Sequence, residues 1–378
     1  MIPSQRDLFD IPRDRVYLNT AYMGPTPKSA IAAGQESYAA KGQPWAYDVQ
    51  QDFFGLPEQL RECAARLFGA QAGEIALVPS ASYGLATAAR NLAPQKRSEI
   101  LVLDGQFPSN VYVWRDLAEQ YGARLVTVKR QPGQGWTQAL IRAIGPATSI
   151  VACPQVHWLD GGQLDLAHIS NTARRQGAAL VLDLTQSLGA LPFDMAAIQP
   201  DFAVAAGYKW LLGPYSTGLL YVAPHHHDQG EPLEQNWITR QGADNFARLI
   251  DYTDAYAPGA RRFDMGERSA MQLIPAALAS LDQVLDWGVG AIAQTLADRT
   301  AAIAAAAAPL GLADDMVERA PHYLTLGLPA GAPDDLLARL AARNIHISQR
   351  GDRLRITPHL FNDDTDIAAF ADGLRAVL

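Results

Sequence analysis

The chain has 378 residues, more than one hydrophobic core usually supports, so two domains, or one large domain with an appendage, are expected. Apolar residues make up 48% and charged residues 19%, an ordinary globular balance, and the formal net charge is -8. That acidity argues against nucleic acid or an anionic membrane as the main partner, while leaving small anionic ligands to local cationic groups.

In chain order, the N-terminus lacks a basic segment followed by an apolar run, so no secretory signal is expected. No stretch reaches the roughly 20 apolar residues that span a bilayer, and a cytoplasmic location is expected. Short aliphatic runs then predict strands at residues 74–78, 99–103, 124–128, 149–152, 179–182, 202–205 and 218–222. Segments 83–91, 110–121 and 166–176 between them are long enough for crossover helices. Unbroken apolar runs suit strands buried on both faces, and the alternation predicts an α/β layer with a mostly parallel sheet. After about residue 255 the order changes to helices at 271–287 and 291–308, a strand at 322–328 and a helix at 333–343. A strand pair, 345–348 and 353–357, and a final helix, 364–378, complete the chain. Residues 1–255 are therefore read as an N-terminal segment with a large α/β domain, and residues 256–378 as a small α+β domain entered through 257–268. Cys63 and Cys153 lack metal-type spacing and read as small core residues of a reduced compartment.

Four positions carry chemistry. Lys209, in AAGYKWLLG, is set among apolar neighbours, where burial favours the neutral amine. Its alternative is a lysine with a buried stem and an amine in water. Asp183 ends the run ALVLD, where open α/β sheets place ligands; capping the next helix or binding a metal are its alternatives. Pro79, Ser80, Ala81, Ser82, Tyr83 and Gly84 form a strand-to-helix turn whose amides suit a phosphate, although Ser is also a routine N-cap. Arg355, in RLRITPHLFN, offers a charged fork matched to a carboxylate, or else lies on an edge strand at the surface. His157 and Phe107 each follow a strand end and are further pocket candidates. His225, His226 and His227 read as a solvated loop rather than a metal site.

Together these motifs resemble the class V aminotransferase superfamily of fold-type I pyridoxal 5′-phosphate (PLP) enzymes, from about Tyr17 to the C-terminus. The strongest part is LDLTQSLGALPFDMAAIQPDFAVAAGYKW, with an Asp, a Gln three residues on and a Lys after the next strand. The resemblance implies that Lys209 carries PLP as a Schiff base and that Asp183 pairs with the pyridine nitrogen. It implies that Gln186 contacts the ring hydroxyl or the Schiff-base side and that Phe107 stacks on the ring. Ala81, Ser82 and Tyr208 would serve the phosphate, and Arg355 the substrate α-carboxylate. Asn19, Tyr22 and His157 are substrate-side candidates. A small amino acid substrate and a homodimer are implied, with no metal.

The chain departs from the family pattern in places. Tyr208 stands where cysteine desulfurases usually have His, and Ser-Ala-Ser-Tyr replaces the commoner Gly-Ala-Thr-Glu. Gly266 is followed by Glu267, where many members have a Thr that reaches the neighbouring subunit's phosphate. No cysteine follows Cys153, which argues against persulfide transfer. Aminotransfer is the leading expectation, followed by β-elimination, then epimerisation or kynureninase-like hydrolysis. A PLP-fold binding module would be expected to lack Lys209 or Asp183, and a nucleotide-binding protein would need a glycine-rich fingerprint, which is missing.

Overall fold

The computed structural model describes residues 1–378. In chain order the chain forms β1 (Val16–Tyr17), α1 (Lys28–Ala40), α2 (Leu56–Phe68), β2 (Ile75–Val78) and α3 (Ala81–Arg90). Next come β3 (Glu99–Leu103), α4 (Ser109–Tyr121), β4 (Arg124–Val128), α5 (Trp136–Ala143), β5 (Thr148–Pro154) and α6 (Leu166–Arg175). They are followed by β6 (Ala179–Asp183), α7 (Met195–Ile198), β7 (Phe202–Ala206) and β8 (Gly218–Val222). The C-terminal third adds α8 (Ile274–Trp287), α9 (Val289–Ala307), β9 (Leu324–Gly327) and α10 (Leu336–Ala341). It ends with β10 (Ile345–His346), β11 (Ser348–Arg350), β12 (Arg353–Ile356) and α11 (Asp364–Val377).

The large sheet has seven strands in the order β2-β8-β7-β6-β5-β3-β4. All neighbours from β7 to β4 are parallel, and β8 runs antiparallel to both β7 and β2. Its central strands are predominantly apolar because both faces are covered. Leu101, Leu103, Val151 and Cys153 enter the core on one face. Ile100, Val102, Ile150 and Ala152 enter the core on the other. β4 at the edge exposes Arg124 and Thr127, the polar dressing that discourages further pairing.

The C-terminal unit holds the antiparallel sheet β11-β12-β9 over a separate core containing Leu324, Leu326, Leu354, Ile356 and Phe370. The expected strand at 345–348 divides at Ile347, because its halves have different partners. Ile345 and His346 pair in parallel with Val16 and Tyr17, whereas Ser348–Arg350 pairs with β12. The chain's beginning is thus built into its end, and the buried Arg6–Asp366 pair at 2.9 Å fastens it there. We propose that the boundary near residue 256 divides the chain only beyond this N-terminal strap. α8 lies against α1 and α2, tying the two units together. No helix is long and apolar enough to cross a membrane.

Candidate active site

The carboxyl ends of β5, β6 and β7, the turn after β2 and the loop after β3 converge on one cavity of about 370 Å³. Brought together on its wall are Ala81, Ser82, Phe107, Asp183, Gln186, Tyr208 and Lys209. They come from four separate stretches of sequence, and the sheet gathers them because crossover connections return its parallel strands in the same direction.

Lys209 follows β7 in the turn that returns to β8 and is 7% exposed. Its Nζ lies 5.6 Å from the ring centroids of Phe107 and of Tyr208. Burial lowers the amine to about 8; the Asp183 charge opposes this, and Arg355 and Arg350 add to it. The neutral form that imine chemistry needs is therefore available near neutrality. Gly24 places the N-terminal strap against this turn, with its amide donating to Tyr208 O at 2.9 Å. A Cβ at Gly24 would collide with the Lys209 carbonyl oxygen.

Asp183, the last residue of β6, accepts the Thr185 amide on Oδ1 at 3.0 Å. Burial pushes its carboxyl above the usual range, with Thr185 and the Lys209 charge pulling the other way. A cationic ring nitrogen in the cavity would complete that compensation. At the turn after β2, Ser80 Oγ caps α3 by accepting the Tyr83 amide at 3.1 Å. The Ala81 and Ser82 amides lie in the same first helical turn, without helical acceptors, on the cavity wall.

Gln186 touches the cavity but is also a scaffold. Its Nε2 donates to Ala21 O and its Oε1 accepts from Trp210 Nε1, each at 3.0 Å. Tyr208 packs against Tyr215 with the rings tilted, centroids 4.6 Å apart.

Arg355 lies outside the cavity wall proper, on β12, and is 1% exposed. Its Nε donates to Ser348 Oγ at 2.8 Å, and its Nη1 reaches Trp158 O and Tyr323 Oη at 3.3 Å. Nη2 has no protein partner, and no carboxylate neutralises the group. A buried guanidinium left in this state is matched to an incoming anion. Asn19 supports it indirectly, its Oδ1 accepting from Ser348 Oγ at 3.0 Å. Tyr22 is mostly exposed and does not line the cavity.

His157 is not brought into the cavity. Its ring stacks on Trp136 with centroids 4.6 Å apart, Nδ1 lies 3.3 Å from Asp160 Oδ1, and Nε2 lies 3.1 Å from Asp104 O. Both nitrogens face protein partners, so the ring braces the wall from behind. The neighbouring Trp158 faces inward instead, edge-on to Phe107 at 5.4 Å. Gln106, Asn110, Tyr215, Ser216 and Thr217 also line the cavity and were not legible beforehand. They sit in loops or at a helix start, where neither hydrophobic period nor motif marks them. At the opposite end of β7, His225 and His226 share Asp201 Oδ1 at 3.0 and 3.3 Å.

A buried amine, a carboxylate, helix amides and an aromatic wall fit the aldehyde, ring nitrogen, phosphate and ring of PLP. Comparison with known proteins agrees. The family model for aminotransferase class-V matches residues 16–360. A kynureninase from Deinococcus radiodurans is 33% identical over 76% of this chain and 70% of its own. An isopenicillin N epimerase from Streptomyces clavuligerus is 27% identical over 96% of this chain and 94% of its own. Among solved structures, C-DES with glycine covalently linked to its PLP cofactor superimposes with TM-score 0.90 over 99% of this chain and 100% of its own. C-DES as a cystine C-S lyase, bound to its product cysteine persulfide, gives TM-score 0.87 over 96% and 97%. At 20% and 21% identity these two structures establish the fold alone.

Proposed function

Given that the chain belongs to the aminotransferase class-V family of PLP-dependent enzymes, we propose that it moves one proton at the α-carbon of an amino acid and completes the cycle as an aminotransfer. Bound PLP supplies an aldehyde for the substrate amine and a ring that draws electrons from the α-carbon. Lys209 would hold it, Asp183 would pair with its ring nitrogen, and the first turn of α3 would hold its phosphate. Arg355 orients the substrate by its carboxylate, which fixes which bond at the α-carbon faces the base. Lys209 takes that proton and returns it, since its amine, lowered to about 8, gives up its proton far more readily than an ordinary lysine.

One observation carries this reading: the cavity wall contains a single amine and no histidine, cysteine or glutamate. Lys209 can therefore serve both proton positions, as aminotransfer uses it; the Tyr208 and Tyr215 hydroxyls are further proton carriers on the wall, and burial raises Tyr208, which makes it a poor base. Cys153 is fully buried in β5 and Cys63 lies elsewhere, so neither lines the cavity to carry sulfur.

The test is incubation of holoenzyme with single amino acids in the absence of any acceptor. Aminotransfer yields one keto acid per site, together with pyridoxamine phosphate, and then stops until a keto acid is added. A second reading, cleavage at the β-carbon, is favoured by the 33% identity to a kynureninase. Repeated turnover without acceptor would select it and overturn aminotransfer.

A further inference from the structure

Two arginines face the substrate side without a counter-ion. On β12, Leu354 and Ile356 enter the C-terminal core, so Arg353 and Arg355 take the opposite face. The antiparallel register pairs Ser348 with Arg355 and Arg350 with Arg353, which places Arg350 on that same face. Arg353 is neutralised by Asp315 at 2.5 Å. Neighbouring carboxylates are also committed, Asp314 to Arg319 at 3.1 Å and Asp160 to Arg130 at 2.9 Å. Neither Arg350 nor Arg355 has a carboxylate within ion-pair distance.

Arg350 is directed at the site. Its Cζ lies 5.5 Å from the ring centroid of Trp158, which lines the cavity. Its only hydrogen bond runs from Nη1 to Gln349 O at 2.7 Å, leaving most of the guanidinium fork free. Arg350 and Arg355 both act on Lys209, lowering its basicity. Two partly desolvated cations side by side repel each other, and a single carboxylate held in one bidentate fork answers only one of them.

We propose that Arg350 receives a second anionic group of the substrate, so that the site selects amino acids whose side chain ends in a carboxylate or similar acid. This rests on the amino acid site described above, with Arg355 holding the α-carboxylate. The side chain would run from the α-carbon along Trp158 to the β11–β12 hairpin. Neutral side chains of equal length would leave Arg350 unanswered.

The test is calorimetric titration of holoenzyme with glutarate and with butyrate, in wild type, Arg350→Gln and Arg350→Lys. Neither acid has an amine, so binding is measured apart from any reaction. Glutarate is expected to bind tenfold or more tightly than butyrate, as a charge-assisted fork would give. Arg350→Gln should abolish that preference and Arg350→Lys should keep part of it. Equal affinities in wild type, or a preference untouched by Arg350→Gln, would overturn the proposal. If the preference holds while amino acids turn over without an acceptor, aminotransfer falls and the second anion site stands.

Discussion

At the scale of single residues, the chemistry depends on how burial treats three charges. Lys209 is driven toward neutrality, Asp183 is held in need of a positive partner, and Arg355 is left charged with nothing to neutralise it. Lys209→Ala should lower turnover by about 10²–10⁴-fold while leaving the far-ultraviolet circular dichroism unchanged, since the side chain contributes proton transfer rather than core packing. The sign of the pH effect follows from the lowered amine. In cofactor-free protein the ammonium form dominates below about 8 and the nucleophilic amine grows as pH rises through that value, instead of near 10.5. Acylation of Lys209, followed by mass spectrometry, should show that midpoint. Arg350→Gln should move it upward, because one repelling charge is removed. A midpoint near 10.5 in wild type would mean that the amine is solvated.

At the scale of elements, the site depends on helix ends and on one buried ion cluster. Ser80→Ala removes the α3 cap and should cost about 1 kcal/mol in a denaturant melt, with weaker binding of PLP at the phosphate turn. Arg61 and Asp264 are both fully buried, paired at 2.8 Å, and Asp264 also accepts the Leu77 amide at 2.7 Å on β2. Asp264→Asn leaves Arg61 and Arg268 with Glu58 as their remaining carboxylate and should cost about 3–5 kcal/mol, measured the same way. The seven strands of the large sheet were legible because each is a short apolar run bounded by turn residues. α1 was not, because it buries only Ala30 and so has no apolar stripe. α5 is only eight residues long and was absorbed into the connection between strands. β1 escaped notice because its partner, β10, lies more than 300 residues away. The positions of Lys209 and Asp183 could be read from motif and strand end alone. The orientation of His157 could not, because Trp136, Asp160 and Asp104 decide it in space.

At the scale of the whole molecule, the cavity is formed by the large sheet while the two arginines without a counter-ion, Arg350 and Arg355, come from the C-terminal unit. We propose that the chain is a homodimer. Trp45, Ile250 and Tyr252 are strongly exposed on neighbouring segments, which Gln50 joins to Asp244 at 3.1 Å. Sedimentation should then give twice the chain's 40.8 kDa, and Tyr252→Asp together with Ile250→Asp should shift the protein to monomer. The most direct test of the account is borohydride reduction of the PLP-loaded protein followed by peptide mapping. The pyridoxyl label is expected on Lys209 alone, with loss of the visible absorbance. A label on another lysine, or none, would contradict the assignment of the cavity as the PLP site.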